Sequence, residues 1–148
     1  MTDSSLTLRP AEASDLDRVE ALLDANDLPS ADVRTKSGCF FVARADGEFV
    51  GVGGVEEHGE NGLLRSVVVE ESRRGRGYGA GICETLEDHA RGAGIETLYL
   101  LTTTAAEFFR RRGYEEIPRG AAPERIRGTT EFADLCPASA TCMTKGLE

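Results

Sequence analysis

The fold of this chain is decided by residues 67–80, Val67-Val68-Val69-Glu70-Glu71-Ser72-Arg73-Arg74-Gly75-Arg76-Gly77-Tyr78-Gly79-Ala80. Three β-branched residues in a row predict a strand, because branched side chains pack well on a pleated surface. The alternate glycines allow a tight turn and let a ligand approach the backbone N–H groups. From Tyr78 the spacing becomes helical, and a helix N-terminus presents unpaired N–H groups. This corner therefore suits an anion, especially a phosphate.

The length of 148 residues predicts a single domain over residues 1–148 with one substantial core. No run of 18 or more apolar residues occurs, so no transmembrane helix and no membrane partner are expected. Residues 1–5 have no basic region followed by an apolar segment, which argues against secretion. The expected location is cytoplasmic.

The charge balance is acidic, with 17 Lys and Arg against 26 Asp and Glu and a net charge of −9. Such a balance opposes general nucleic-acid binding, which needs a basic face. Two local basic clusters stand out against this background. They are Arg73, Arg74 and Arg76, and Arg110–Arg112.

The four cysteines indicate no metal site. They are Cys39, Cys83, Cys136 and Cys142, and their spacing fits no zinc pattern. Cys39 opens a strand-like run and Cys83 lies on an amphipathic helix, so both are expected to be core thiols.

Hydrophobic periodicity predicts an α+β (mixed α/β) domain with helices on a central sheet. A first helix is expected after Ser14 as its N-cap, and a short helix is expected within 30–38. Asp46-Gly47 and the segment 58–62 predict turns, so the middle of the chain reads as an antiparallel meander. Strands are predicted at 6–9, 40–43, 49–55, 63–69, 97–101, 114–117 and 141–144, and further helices at 78–91, 105–112 and 124–127.

The motifs resemble those of the Gcn5-related N-acetyltransferase (GNAT) family. Residues 74–79 match the family signature R/Q-x-x-G-x-G/A, placed after a strand. Residues 105–114 are similar to its second motif, a helix that ends in Gly-Tyr or Gly-Phe. Leu8-Arg9-Pro10-Ala11 before an acidic helix is also typical. The resemblance covers nearly the whole chain and implies a mostly antiparallel twisted sheet of about seven strands, flanked by helices.

The resemblance implies acetyl-CoA as the acyl donor. The backbone of Val67, Val68 and Val69 would then pair with the pantetheine arm. Phe108 or Phe109 would pack beside the thiol end, and the arginines at 73, 74 and 76 would add charge to the phosphates. The amides expected to cradle the pyrophosphate are those of Arg74, Gly75, Arg76, Gly77, Tyr78 and Gly79.

The family's chemistry is direct attack of an amine on the thioester, without a covalent enzyme intermediate. This attack needs a neutral amine, and hence a general base or a water path, and an N–H group within Val67–Val69 to hold the oxyanion. The base is not evident. Glu56, Glu57 and His58 are candidates, beside the simpler interpretation that they form a solvated hairpin face.

The chain departs from the family at two positions. Phe109 stands where the family often has a tyrosine that protonates the departing thiolate, and phenylalanine cannot donate a proton. The acid is then water, another residue, or unnecessary. Thr102 falls near the position usually held by asparagine, so that contact is also altered.

The acceptor is expected to be a small-molecule amine. Residues 101–105 and 129–140, which include Cys136, resemble a GNAT subgroup associated with arsenic resistance, which implies an amino-acid-like arsenical and detoxification. Arg65 and Ser66 are candidates to bind an acceptor carboxylate or oxyanion. The alternative for Arg65 is a surface residue that pairs along its strand.

Of two other functions, one stays open and one is disfavoured by the sequence. A non-catalytic acyl-CoA sensor on the same fold is favoured by the absent tyrosine and the unidentified base. A P-loop or Rossmann nucleotide binder is disfavoured, because no Gly-Lys-Ser/Thr follows the glycine turn. The expected oligomeric state is a monomer or a homodimer.

Overall fold

The computed structural model describes residues 6–26, 28, 30–31, 33–75, 77–103, 105–129, 132 and 140–147, with the backbone alone at 36 and 37. The strands are β1 (Leu6–Pro10), β2 (Phe40–Ala45), β3 (Glu48–His58), β4 (Asn61–Val69), β5 (Thr97–Thr102), β6 (Glu115–Ile117) and β7 (Thr141–Gly146). The α-helices are α1 (Leu16–Ala25), α2 (Tyr78–Gly92), α3 (Ala106–Arg111) and α4 (Glu124–Arg127). Short 3-10 helices cover Ala13–Asp15, Arg34–Cys39, Glu71–Arg73 and Arg119–Ala121.

The seven strands form one sheet in the order β1-β2-β3-β4-β5-β7-β6. The pairs β1–β2, β2–β3, β5–β7 and β6–β7 are antiparallel, and β4–β5 is parallel. The predicted mixed α/β fold with a mostly antiparallel sheet of about seven strands is therefore confirmed. No helix among the residues described above is long and apolar enough to cross a membrane.

The hairpin between β2 and β3 shows why local sequence predicts this part of the sheet. Asp46 and Gly47 have φ angles of 54° and 83°, and Ala45 pairs with Glu48 across them. Two left-handed residues give a turn whose twist matches that of the flanking strands, and Asp-Gly is a favoured sequence for it. The predicted turn is confirmed.

Contacts between residues divide the chain into two compact units, made of the described residues within 1–55 and 66–88 and those within 56–65 and 89–148. The first unit has a core built on α1, β2 and β3. Its fully or nearly buried members are Leu16, Val19, Leu23, Val33, Phe40, Val42, Phe49, Val52 and Val68. Val68 ties the end of β4 to this core. The single domain inferred from length stays a prediction.

The second unit has its own apolar cluster, beneath the chain that follows β6. Its members are Leu63, Ala122, Ile126, Phe132 and Cys142. The guanidinium of Arg119 donates to the carbonyl oxygen of Phe132 and lies 5.6 Å from the centre of its ring. This contact holds Phe132 in place.

Two local predictions were wrong. Ser14 is not the N-cap of α1: it lies inside the 3-10 helix, whose capping box is formed by Glu12 and Asp15. The reason is that Asp15 accepts from the Glu12 N–H at 2.8 Å, which starts the helical turn earlier. Cys39 does not open β2 but ends the preceding 3-10 helix, and the short helix expected within 30–38 covers Arg34–Cys39.

Candidate functional site

The turn between β4 and α2 is held at its base and open at its tip. The N–H of Glu70 donates to the carbonyl oxygen of Val50 at 2.8 Å, which fixes the end of β4. Gly75 and Gly77 both have φ of 83°, a conformation that glycine adopts without strain. A Cβ built on either glycine would meet no heavy atom within 4 Å. The backbone of the turn therefore faces open space.

The turn leads directly into the N-terminus of α2. The first bond of the helix runs from the Gly81 N–H to the Gly77 carbonyl at 3.1 Å. The amides of residues 78–80 precede that bond, so helix geometry leaves them without an intrahelical acceptor. Together with the left-handed glycines they form a set of N–H groups suited to a phosphate.

The side chain of Arg74 donates hydrogen bonds to two other residues of the first unit. Its Nε donates to the carbonyl oxygen of Val69 at 3.0 Å, and its Nη2 donates to Asn26 Oδ1. Asn26 is the C-cap residue of α1. Arg74 thus joins the turn to the end of β4 and to the end of α1, and its charge lies beside the glycine turn.

Arg73 and Arg110, one from each basic cluster, are engaged by nearby acids. Arg73 forms an ion pair with Glu48, and its hydrogen bond holds the pKa of Glu48 below the ordinary value and raises the pKa of Arg73. A phosphate would therefore have to compete with Glu48 for the Arg73 guanidinium, as the prediction for Arg73 requires. Arg110 pairs with Glu107 and Glu116 at 3.3 and 3.1 Å. Arg76 lies outside the described residues.

Strand β4, which precedes the turn, extends past the residues that pair with β5. The register between β4 and β5 runs over Asn61–Leu63 and Thr97–Tyr99, and Val67–Val69 lie further along β4. Val68 is buried, whereas Val67 and Val69 are half-buried. A Cβ built on Gly51 would lie 2.5 Å from the carbonyl oxygen of Val68. Only glycine at position 51 permits this approach of β3 to β4.

The second unit, formed by residues 56–65 and 89–148, contains a buried ion pair. Arg65 Nη1 is 2.9 Å from Glu56 Oε2, and the side chains are 0% and 3% exposed. His58 Nε2 is 3.2 Å from Glu56 Oε1. The alternative that Arg65 is a surface residue is wrong. The solvated hairpin face is wrong for Glu56 and correct for Glu57, which is exposed.

Ser66 follows Arg65 with φ of 60°, in the left-handed region, and is buried. A serine in this conformation inside a strand is strained and changes the alternation of the neighbouring side chains. The chain pays this conformational cost directly before Val67–Val69.

Phe109 is packed among aromatic rings. It is 8% exposed, and its ring centre lies 5.1 Å from that of Phe108 and 5.5 Å from that of Tyr114, both in edge-to-face contact. Thr102 Oγ1 accepts from the Ala105 N–H at 3.0 Å and so supports the start of α3. The expected contact of Phe109 with the donor stays a prediction.

Two features of this region were not predicted from the sequence. Asn26 anchors Arg74, and Gly51 allows the close approach to Val68. The glycine-rich run 51–54 inside a strand was the available signal for Gly51, since glycine in a strand marks close backbone approach. No local signal marks Asn26, because its partner is distant in sequence. Residues 130–131 and 133–139, with Cys136, lie outside the described residues. Among the residues the structure does describe, no three His, Cys, Asp or Glu side chains lie close enough to hold a metal ion.

Comparison with known proteins identifies this arrangement. Residues 36–116, more than half of the chain, match the family model described as Acetyltransferase (GNAT) domain. The chain belongs to the GNAT acetyltransferase family. Membership confirms the predicted class of enzyme, an acyltransferase, and agrees with acetyl-CoA as the predicted donor.

Relatives of this GNAT domain include acetyltransferases that are named for different substrates. An IAA acetyltransferase from Azospirillum brasilense is 32% identical over 115 residues, which cover 74% of this chain and 68% of the relative. An amino-acid acetyltransferase from Pseudomonas syringae pv. syringae is 43% identical over 56 residues, which cover 38% of this chain and 13% of the relative. The match thus spans about an eighth of the length of that amino-acid acetyltransferase.

Solved structures share the fold of this GNAT domain. N-acetylglutamate synthase from Neisseria gonorrhoeae, complexed with coenzyme A and N-acetyl-glutamate, matches with a TM-score of 0.85. The two chains are 21% identical, and the match covers 99% of this chain and 36% of that chain. At this identity the likeness shows the fold.

Proposed function

We propose that the protein transfers an acetyl group from acetyl-CoA to the nitrogen of a small-molecule amine. The observation that carries this proposal is the glycine turn before α2. Gly75 and Gly77 are left-handed, the space above them is open, and the amides of residues 78–80 point out of the helix. Such a set of N–H groups is suited to a pyrophosphate.

The donor would lie along β4 and over the turn. Val67, Val68 and Val69 would offer backbone groups to the pantetheine arm in the manner of an added strand. Their position beyond the β4–β5 register supports this assignment. The residues proposed for the pyrophosphate are Arg74, Gly75, Arg76, Gly77, Tyr78 and Gly79. Phe109 is proposed to pack beside the thiol end.

The residues of the chain would bind and orient the two reactants rather than form a bond with them. One N–H group of Val67–Val69 would donate to the carbonyl oxygen of the thioester, where negative charge develops during attack. Acetyl-CoA supplies the activated acyl group. Burial of Val68 in the apolar core holds this strand in place, which a preorganised donor group requires.

The acceptor is proposed to be an α-amino acid or a close analogue. The curated relatives named amino-acid acetyltransferase support this class. Arg65 and Ser66 stay the candidates to bind the acceptor's acidic group. Arg65 already pairs with Glu56, so it would bind the acceptor only through the N–H groups that this pair does not use. The resemblance of residues 101–105 and 129–140 to the arsenic-resistance subgroup supports an amino-acid-like arsenical as the acceptor. We place the enzyme in the cytoplasm, as a monomer or homodimer with no nucleic-acid or membrane partner.

Release of CoA thiol from acetyl-CoA tests this function. The panel would hold the standard amino acids, several small primary amines, and an α-amino acid with an arsenic(V) side chain beside its phosphorus analogue. Turnover with the arsenical above that with the other amines supports the narrower proposal, and turnover with ordinary amino acids alone contradicts it. CoA binding by calorimetry without turnover on any amine would favour the acyl-CoA sensor instead.

A further inference from the structure

The guanidinium of Arg74 has more donors than its protein partners use. An arginine carries five N–H groups in one plane. Nε donates to the carbonyl oxygen of Val69 at 3.0 Å, and Nη2 donates to Asn26 Oδ1. Among the residues that the structure describes, these two groups are the ones that accept from Arg74. The guanidinium therefore still has N–H groups to donate to a phosphate while it keeps both contacts.

The side chain of Asn26 is fixed by its own helix. Asn26 is the C-cap residue of α1, and its Nδ2 donates to the carbonyl oxygen of Leu22 at 2.9 Å. A guanidinium has only donors, so the amide atom that faces Arg74 has to be the oxygen. The two partners together determine which amide atom is which. Oδ1 is thus held in a set orientation before any ligand arrives.

Helix α1 is also fastened to the beginning of the turn. Arg18 Nη2 is 3.4 Å from Glu70 Oε2, and the Arg18 guanidinium lies 4.3 Å from the centre of the Phe49 ring. Asn26 stands about 12 Å further along the helix than Arg18, because a helix rises about 1.5 Å per residue. Helix α1 therefore contacts the turn at Glu70 and again at Arg74, and all of these residues belong to the first unit.

The described residues that follow α1 fold back on the same helix. The N–H of Leu28 donates to the carbonyl oxygen of Leu23 at 3.0 Å. Arg34 forms an ion pair with Glu20 at 3.1 Å. Val33 is fully buried in the core of the first unit. A restraint on the end of α1 therefore acts on these residues as well.

We propose that Asn26 is a positioning residue for the acyl donor, because it holds the Arg74 guanidinium at the glycine turn. This inference rests on the proposed function. A side chain that is already ordered loses less conformational entropy when a ligand binds, so an anchored arginine binds a phosphate more tightly than a mobile one. Coupling between two sites is reciprocal, so a bound donor in turn stabilises the end of α1 by the same factor.

A double-mutant cycle separates this role from a purely structural one. Calorimetry with CoA would compare Asn26→Ala, Arg74→Met and the two together. We expect Asn26→Ala to raise Kd by about 2- to 10-fold, the range for one immobilised side chain. In the Arg74→Met background it should change Kd by less than about twofold, because no guanidinium is left to hold. Equal losses in the two backgrounds would mean that Asn26 acts through the helix alone, which overturns the proposal.

Ser30→Ala is the matched control at the same end of α1. It removes the hydrogen bond from Ser30 Oγ to Asp24 Oδ1 and leaves Asn26 and Arg74 in place. We expect its Kd for CoA to stay within about twofold of wild type. A loss equal to that of Asn26→Ala would show that CoA affinity follows the stability of this helix end, and would overturn the role of Asn26.

Amide hydrogen exchange tests the reciprocal effect in the wild-type protein. The Leu28 amide reports on the end of α1, since its hydrogen bond to Leu23 has to open before exchange occurs. At saturating CoA we expect its exchange to slow by about 2- to 10-fold, the same factor as in the cycle. In Asn26→Ala saturated with CoA this slowing should be absent. Unchanged exchange in wild type, or equal slowing in Asn26→Ala, overturns the coupling.

Failure of this inference and failure of the proposed function give different results. Suppose that the wild-type protein binds CoA and releases CoA thiol with an amine, but Asn26→Ala binds CoA within about twofold of wild type. The acetyltransferase then stands and the role of Asn26 is overturned. A wild-type protein that binds no CoA overturns the proposed function and the role of Asn26 with it.

Discussion

Arg74 Nε donates a hydrogen bond to the carbonyl oxygen of Val69 at 3.0 Å, so the arginine of the glycine turn is tied to the last residue of β4. The same guanidinium reaches Asn26 at the end of α1. A planar guanidinium with two fixed contacts keeps its charge in one place, which a flexible side chain on the surface does not. The turn is thereby given a cation beside its N–H groups.

Arg74→Met should weaken CoA binding while leaving the fold intact. The variant keeps the apolar stem of the side chain and removes the charge and both hydrogen bonds. Because hydrogen bonds to charged groups contribute about 1.5–3 kcal/mol, we expect Kd for CoA to rise by roughly 10- to 100-fold in calorimetry. Asn26→Ala is the matched control, since it removes one anchor and leaves the charge. A larger effect in Asn26→Ala than in Arg74→Met would contradict the proposed role.

Gly77→Asp should abolish donor binding, and Gly77→Asn separates charge from conformation. Both replacements tolerate the left-handed region better than other residues, and the space above Gly77 is open. Two like charges about 4 Å apart repel by about 1–4 kcal/mol at the effective dielectric of a protein surface or of water. We therefore expect Asp to bind CoA at least about fivefold more weakly than Asn.

Salt provides the control for the Gly77 pair. Molar KCl screens exposed charges, so it should narrow the difference in CoA affinity between the Asp and Asn variants. The difference between the thermal midpoints of the two variants should not change. Equal CoA affinities in low salt would show that no phosphate lies over the turn.

Gly51→Ala should destabilise the protein and displace the donor strand. The new Cβ would lie 2.5 Å from the Val68 carbonyl oxygen and 3.2 Å from Val69 Cα, so backbone must move. Overpacking of this kind costs about 1–3 kcal/mol. Denaturant titration should show this loss, and the CoA affinity should fall with it. Gly92→Ala has open space at its Cβ and should leave the stability unchanged or raise it by up to about 1 kcal/mol.

Local sequence predicted the elements whose cause is local. The Asp46-Gly47 turn follows from two residues that tolerate a left-handed backbone, and α4 has the predicted bounds at Glu124–Arg127. The start of α1 was missed because Asp15 can cap from a position next to Ser14, and the choice depends on the backbone of Glu12. Composition and periodicity cannot show which of two adjacent polar residues sets the start of a helix.

The candidate site was predicted in part, for the same physical reason. The glycine turn is contiguous, so its anion-binding character could be inferred from residues 74–79 alone. The pairing of Arg65 with Glu56 could not, because it depends on which side chains share a face across the β3–β4 hairpin. Strained Ser66 alters that alternation in a way that no apolar pattern reports.

Ser66 offers a final test, because backbone conformation and hydroxyl can be separated there. Its φ of 60° is accessible to glycine and asparagine and costly for a β-branched residue. We expect Ser66→Gly and Ser66→Asn to fold, whereas Ser66→Val should lose about 1–3 kcal/mol of unfolding free energy. If the hydroxyl binds the acceptor, Ser66→Gly raises KM for the amine and leaves Kd for CoA unchanged. An unchanged KM would leave Ser66 with a backbone role alone, and a stable Ser66→Val would show that β4 does not need a left-handed residue beside Arg65.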